Sequence, residues 1–447
     1  MKNSNVYWAI WSILLFYLAL LYADAIPYPS TEFLTYLSVF DFLFVSYFFY
    51  AHPSLKFFGL SHVLFLYAAM GAFAVGWVYY IVGANYVQYN SDSTGDFITR
   101  STTLSVYYAP ALVISMLALH FYPLGCFIGI KSNKKSRLIE QNDKRSANAI
   151  AVMGLILLAL SAFSFVYLML IGVFSINMNY GSYRLILDSY PFLHLVIIFY
   201  SVGICSVVAC GGKKQQRLGW ALFGFVAFLY FATGNKGEVL YAFLSVIGVL
   251  IYKGMKINWR FVAGIGLLVF VIIPFISVSR SEGVLSGKTD VTMNFTGIFV
   301  EIGTQIRCTV LLLEQFAHNT RDFIWGYSYY SPILNILDYL IPGMRMDKPA
   351  SFDFGESFLG MGFNQIAEGY ANFGIFGAII YFFTIGFFLG KNESMRLSLV
   401  RLGFIGCICS ELINVSRNKF AFFWGHVLII YILYFAILFL VNKKKLS

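Results

Sequence analysis

Long apolar runs alternate with short polar connections along nearly the whole chain. A helix needs about 20 predominantly apolar residues to cross the roughly 30 Å hydrocarbon core of a bilayer. By that measure the pattern predicts about 12 transmembrane helices, at approximately 6–23, 33–50, 58–83, 104–130, 149–173, 191–210, 217–233, 238–252, 261–278, 364–390, 397–414 and 420–441. We therefore expect an all-α, polytopic integral membrane protein that forms a single transmembrane domain over residues 1–447.

The composition excludes a soluble protein and changes what the net charge means. Hydrophobic residues make up 59% of the chain and charged residues 12%, against about 45–50% and 25% in an ordinary soluble domain. The formal net charge is +10, but the basic residues lie in the connections, so we expect the lipid bilayer as a partner and no nucleic acid. The first apolar run, from Val6 to Tyr22, lacks a small-residue cleavage site and is expected to be retained.

The distribution of Lys and Arg predicts the orientation. Basic residues near span ends stay on the cytoplasmic side, whereas acidic residues contribute little to orientation. With the N-terminus inside, 20 of the 31 Lys and Arg residues fall in cytoplasmic segments, whereas only Glu140, Asp143 and Glu393 of the 21 acidic residues do. Both termini are thus predicted to be cytoplasmic, and the segment 279–363 between spans nine and ten is predicted to lie outside.

This exterior loop has about 85 residues, and loops of such length are usually functional or disordered. Apolar residues keep a helical periodicity in Phe295–Phe316 and in Trp325–Ile341. We therefore expect an amphipathic helix and a second, partly re-entrant helix, which together form a folded lid on the outer surface.

The same loop carries several charged side chains that could bind an anion. They are Arg280 and Glu282 directly after the ninth span, Arg307 and Glu314 two turns apart on one helix face, and Arg345 and Lys348 in a proline-bounded turn. An Arg fork and a mobile Lys charge match a diphosphate better than a neutral sugar. The alternatives are an ion-pair network that holds the loop, or a solvated loop whose charges bind nothing.

A polar face opens the tenth span, where Asn364, Gln365, Glu368 and Asn372 follow helical spacing. An ionisable residue near the membrane boundary is costly unless it lines a wet cavity, so a functional role is favoured over a structural polar seam between helices. Two other polar stretches are predicted at the same side of the membrane, at 233–238 with Lys236 and at 410–418 with Arg417. We expect the three stretches to converge, as active sites in helical bundles do.

Other kinds of site have little support. The six histidines are scattered, and no HExxH motif or Cys/His spacing typical of a metal site occurs. Five of the six cysteines lie within or at the ends of predicted spans, and the cytoplasmic connections are too short for a nucleotide-binding fold. We expect no metal and no other cofactor. Asp41 and His62 are interpreted as satisfied polar contacts and not as a proton path.

Exterior chemistry cannot rely on nucleotide-activated sugars, so a glycosyl donor must carry its own leaving group across the membrane. A polyprenyl diphosphate does so. Such a substrate needs an apolar groove for its tail, basic groups for its diphosphate and a carboxylate near the acceptor hydroxyl.

The C-terminal half resembles a known family, the Wzy-type O-antigen polymerases. Roughly residues 230–425 carry the resemblance, through the ordered motifs Trp325-Gly-Tyr-Ser-Tyr329, Ile341-Pro342, Lys348-Pro349, Ala367-Glu368, Asn372-Phe-Gly374, Gly377 and Arg417. The motifs are short, and their specificity lies in their order, spacing and topology.

The resemblance implies a GT-C-like membrane glycosyltransferase of the bacterial inner membrane, with a periplasmic active site and no metal. It would transfer a growing glycan from undecaprenyl diphosphate onto the sugar of a new lipid-linked repeat unit, in lipopolysaccharide O-antigen biosynthesis. Undecaprenyl-diphosphate-linked repeat units would be its substrates, and a chain-length regulator membrane protein would be a further partner.

The resemblance also implies roles for individual residues. Glu368 would be the carboxylate that orients or deprotonates the acceptor hydroxyl. The cations Arg280, Arg307, Arg345 and Lys348 would hold the diphosphate and stabilise its charge as it leaves. Further substrate-binding candidates are Lys236, Asn372, Arg417, Asp353 and Glu356. The last two leave the identity of the base open among three carboxylates.

Two alternatives stay open on the sequence. An O-antigen ligase also has about 12 spans and a large outer loop, but a strain without the ligase would carry no repeat units on its lipid core, whereas a strain without the polymerase would carry single ones. A flippase for lipid-linked oligosaccharides would instead show internal repeats and midplane charges, and we find neither.

Overall fold

The computed structural model describes residues 4–83, 102–132, 143–176, 178, 180–190, 192–255, 297–338, 341, 343, 364–395, 397–418 and 420–446. The helices within them are α1 (Ser4–Tyr22), α2 (Thr31–Ala51), α3 (Leu60–Gly76, continued by a π-helical segment Trp77–Val82), α4 (Tyr108–Ser132), α5 (Lys144–Leu170), α6 (Tyr180–Ser189), α7 (Phe192–Cys210), α8 (Lys213–Ala232), α9 (Gly237–Tyr252), α10 (Gly297–Gly303), α11 (Ile306–Ala317), α12 (Tyr327–Asp338), α13 (Gln365–Glu393), α14 (Leu399–Val415) and α15 (Ala421–Leu446).

The helices match the predicted spans closely. Eight helices of the described ranges are long and apolar enough to cross a membrane, namely α1, α2, α3 with its π-helical extension, α4, α5, α7, α13 and α15. The shorter or less apolar helices α8, α9 and α14 occupy three further predicted spans. The ninth predicted span, 261–278, lies outside the described residues. The prediction of an all-helical, polytopic membrane protein is confirmed.

Among the described residues, four helices lie between the predicted spans, and the apolar pattern predicted them only in part: α6, α10, α11 and α12. The amphipathic helix expected over Phe295–Phe316 is two helices, α10 and α11, with a turn at Thr304 and Gln305 between them. The second helix expected in the loop is α12. Helix α6 was not predicted, because its ten residues fall in a connection too short and too polar to register as a span.

Glycine contacts bring the longest helices together. A Cβ atom on Gly125 of α4 would meet the backbone of Phe383 on α13, and one on Gly386 of α13 would meet the backbone of Tyr122 on α4. Small residues at such crossings let two backbones approach closely, which favours helix association in a bilayer. This α4–α13 contact fixes the helix that carries the predicted Glu368 site.

Buried polar residues inside the bundle pair with one another. Asp41 of α2 lies with its Oδ1 atom 2.8 Å from Nδ1 of His120 on α4, and the two side chains are 2% and 0% exposed. The Nδ1 atom of His62 accepts a hydrogen bond from the Phe58 backbone N–H at 3.0 Å. Asp41 and His62 therefore each make one internal polar contact, although Asp41 Oδ2 and His62 Nε2 have no hydrogen-bond partner in the described ranges.

Helix α13 is not the continuous helix that the sequence predicted. Phe373 and Gly374 have non-helical backbone angles, and Gly374 adopts a φ of 61°, a conformation that favours glycine. Gly369 then packs directly against Gly377, eight residues further on, although residues so spaced lie about 12 Å apart in a regular helix. The first segment, 365–372, thus folds back on the long segment that follows.

Candidate functional site

The three polar stretches expected to converge do meet. The Gln365 side chain on α13 donates hydrogen bonds from Nε2 to the backbone carbonyls of Val415 and Asn418, at 2.6 and 2.9 Å. Residues 364–372 of α13 and 414–418 after α14 are therefore in direct contact, and we name this region, together with the 233–238 turn before α9, the polar junction. It lies at the end of the bundle away from the basic ends of α8, α13 and α15.

Glu368 lies at the centre of the polar junction. Its side chain is 0% exposed, and Oε2 accepts hydrogen bonds from the Phe420 backbone N–H at 2.8 Å and from Gln365 Nε2 at 3.2 Å. Because a buried carboxylate is costly without such donors, these contacts fix its position. Glu368 thus connects α13 to the start of α15.

Two buried amide oxygens beside Glu368 accept no hydrogen bond within the described part of the chain, namely Gln365 Oε1 and Asn372 Oδ1. Leaving a buried acceptor unsatisfied costs about 1–3 kcal/mol. Both oxygens are acceptors, so the group that completes them must be a donor, such as a hydroxyl. The Tyr329 hydroxyl is likewise without a hydrogen-bond partner in the described ranges. Burial, together with the charge of Glu368, raises the pKa of Tyr329 well above its usual value.

The loop helix α12 is attached to this region by hydrogen bonds from both sides. Asn372 donates to the Ser328 hydroxyl at 2.8 Å, and the Ile324 backbone N–H donates to the Ala371 carbonyl at 3.0 Å. The Ala371 carbonyl lies just before the break in α13, where the regular backbone hydrogen bonds of the helix are interrupted. The fold-back of α13 therefore provides the acceptor that holds the loop against the polar junction.

Electrostatic interactions connect the 233–238 turn to the rest of the polar junction. Glu238, at the start of α9, interacts electrostatically with Arg417 and with Arg184 of α6, and accepts a hydrogen bond from the Asn235 side chain. Lys236 is the residue that precedes α9. Arg417, expected to bind substrate, is thus close to the Glu238 carboxylate, and Lys236, also expected to bind substrate, lies two residues before Glu238 in the same turn.

Arg307 lies on α11, which contacts the first turn of α13. Asn364 donates from Nδ2 to the Gln305 carbonyl at 2.6 Å, and its Oδ1 caps α13 by accepting from the Ala367 backbone N–H at 2.7 Å. The Nη1 atom of Arg307 is buried and donates to no acceptor in the described ranges. Among the described residues no ion pair joins Arg307 to Glu314, and the alternative of an ion-pair network that holds the loop stays open.

Five predicted site residues, Arg280, Arg345, Lys348, Asp353 and Glu356, lie outside the described residues. Glu282 also lies outside them. The expectation that these side chains surround Glu368 stays a prediction.

Besides the Asp41–His120 contact, the structure contains a second pair of ionisable residues that the sequence did not predict. His426 on α15 lies with Nδ1 2.6 Å from Oε2 of Glu411 on α14. Glu411 was noted as part of a polar stretch, but His426 was counted among scattered histidines, since no sequence spacing reveals a contact between two separate helices. Among the described residues, no group of three His, Cys, Asp or Glu side chains could hold a metal ion.

Comparison with known proteins identifies the family. A sequence model of the family described as O-antigen polysaccharide polymerase Wzy matches residues 6–446. Protein CapE of Staphylococcus aureus is 30% identical over 346 residues, which cover 77% of this chain and 76% of that protein. No solved structure matches the chain at a significant level. Because the family match spans nearly the whole chain, the protein belongs to the O-antigen polysaccharide polymerase Wzy family.

Proposed function

We propose that the protein is a membrane glycosyltransferase that joins undecaprenyl-diphosphate-linked oligosaccharide repeat units on the periplasmic face of the bacterial inner membrane, in O-antigen biosynthesis. Its family supports polysaccharide polymerisation in general. The lipid-linked donor, the side of the membrane and the type of glycan are our inference.

The observation that carries this proposal is the set of unsatisfied buried acceptors around Glu368. Gln365 Oε1 and Asn372 Oδ1 accept no hydrogen bond within the described part of the chain, and a carbohydrate presents many hydroxyl donors. A site built to bind a hydroxyl discriminates strongly against ligands that lack it. The polar junction therefore suits an acceptor sugar, and the long helices next to it suit a lipid carrier.

We assign the residue roles accordingly. Glu368 orients the acceptor hydroxyl, and Asn372 contacts the sugar. Arg307, with its unsatisfied Nη1 atom, is a candidate for the diphosphate, since a guanidinium binds phosphate oxygens in a bidentate manner. The remaining proposed contacts to the substrate come from Arg280, Arg345, Lys348, Lys236, Arg417, Asp353 and Glu356.

Reconstitution tests the function directly. Purified protein in vesicles, supplied with a defined undecaprenyl-diphosphate-linked repeat unit on the outer face alone, is expected to yield a ladder of longer glycans, which gel electrophoresis resolves. Growth without any transfer of lipid across the bilayer would exclude a flippase. A folded protein that moves the repeat but never extends it would overturn the proposal.

A deletion strain separates the polymerase from the ligase. Loss of this chain is expected to leave single repeat units attached to the lipid core. If instead no repeat unit reached the core, the ligase function would be correct.

A further inference from the structure

A carboxylate–imidazole pair lies between α14 and α15 and has no role in the assignments above. Glu411 Oε2 is 2.6 Å from Nδ1 of His426, and it also accepts from Asn414 Nδ2 at 3.2 Å. Ser201 of α7 donates to Oε1 at 3.4 Å. Because the carboxylate accepts at Nδ1, the neutral imidazole carries its proton there, and Nε2 is left as a proton acceptor.

The two members of the pair differ in exposure. The Glu411 side chain is 3% exposed and that of His426 is 18% exposed. No residue from Ala421 to Ile429 is fully buried, whereas Ile430 is 0% exposed. The first turns of α15 are therefore partly exposed, and His426 is the more exposed member of the pair.

Hydrogen bonds connect the pair to the polar junction. Asn414, which donates to Glu411, accepts at Oδ1 from Asn418 Nδ2 at 2.8 Å. The Asn418 carbonyl accepts from Gln365 Nε2, which also donates to Glu368. The two buried carboxylates thus belong to one hydrogen-bonded network, and the imidazole is its accessible member.

We propose that His426, oriented by Glu411, is the general base that takes the proton from the acceptor sugar hydroxyl. This inference rests on the proposed function. A general base must come within hydrogen-bond reach of the proton that it removes. His426 is 18% exposed, whereas Glu368 is 0% exposed and already accepts two hydrogen bonds at Oε2. We therefore assign orientation of the acceptor to Glu368 and removal of the proton to His426.

The acceptor oxygen forms a bond to the anomeric carbon of the donor sugar, and the bond between that carbon and the diphosphate oxygen breaks. Its electron pair leaves with the polyprenyl diphosphate. The hydroxyl proton moves to Nε2 of His426, Glu411 stabilises the resulting imidazolium, and the proton then passes to water.

Three variants in the vesicle assay test the base. His426→Ala and His426→Asn are each expected to lower the rate of polymerisation about 10²-fold, the usual contribution of a general base. The Asn amide can still donate to Glu411, so His426→Asn keeps the contact between α14 and α15 and removes only the proton acceptor. Exogenous imidazole is expected to restore part of the rate to His426→Ala. Glu411→Gln, a change in a positioning residue, is expected to lower kcat with little change in KM.

The matched control is His194→Ala, since His194 is an exposed histidine at the same end of the bundle, on α7. It is expected to keep the wild-type rate. If His426→Asn polymerised at the wild-type rate, or if folded His426→Ala stayed inactive in imidazole, His426 would not be the base. Such results leave the polymerase function intact as long as the wild type extends the repeat unit. A folded wild type that extends nothing would instead overturn the proposed function.

Discussion

Glu368→Gln is the substitution that tests the polar junction most directly, because it removes the charge and keeps the shape. Oε2 accepts two hydrogen bonds, from the Phe420 N–H and from Gln365. Bonds to a charged acceptor contribute about 1.5–3 kcal/mol each and bonds to a neutral one about 0.5–1.5 kcal/mol. The two weakened bonds thus amount to about 2–3 kcal/mol, and relief of the buried charge offsets part of this loss. We expect the variant to stay folded.

Glu368→Ala is expected to destabilise the protein more than Glu368→Gln does, because it leaves both donors buried without an acceptor. Each such donor costs about 1–3 kcal/mol, so about 2–6 kcal/mol is lost. We expect the melting temperature in detergent to fall clearly for Glu368→Ala and little for Glu368→Gln. Polymerisation should fall for both variants, about 10²-fold for Glu368→Gln if the carboxylate charge orients the reacting hydroxyl.

Glu393→Gln is the matched control, since Glu393 is a buried carboxylate at the other end of the same helix and accepts from the Ser61 backbone N–H at 3.2 Å. The chemical change is the same, but the site lies far from the polar junction. We expect a wild-type rate from it. Polymer formation by Glu368→Gln at the rate of the wild type would refute the catalytic reasoning, whatever the melting temperatures.

Three further outcomes follow from the structure. Gln365→Ala removes the donor to two buried carbonyls and is expected to lower stability by about 2–6 kcal/mol, measured as a melting temperature in detergent, whereas Lys214→Ala, at an exposed position of α8, should change it little. Equal melting temperatures would contradict the role of Gln365 as the link between α13 and α14. Gly386→Val places side-chain atoms against the α4 backbone and is expected to abolish stable insertion. The measurement is size-exclusion chromatography, in which monodisperse protein should be lost. A normal elution profile would contradict the close α4–α13 contact. Leu185 is 68% exposed and is predicted to lie outside, whereas Met255 is 39% exposed and is predicted to lie inside. In intact cells, a cysteine at Leu185 should therefore react with a membrane-impermeant maleimide and one at Met255 should not. The reverse result would invert the topology.

Composition and apolar periodicity were sufficient to predict the helical class and nearly all of the described spans. The physical reason is that lipid provides no hydrogen-bond partners, so a spanning segment must be both helical and apolar over its whole length. Because polar residues are rare in such segments, the three polar stretches stood out in the sequence. Their convergence was predicted because they end spans at the same side of the membrane.

The tertiary structure alone decided how those stretches meet. The break at Phe373 and Gly374 was invisible in the sequence, because membrane helices tolerate glycine and only the contact of Gly369 with Gly377 shows that the chain folds back. The Glu411–His426 pair joins two helices whose relative rotation is set by packing and not by sequence spacing. The positions of the polar stretches at the ends of spans could be predicted from the residues, whereas each hydrogen-bond partner depended on helix packing.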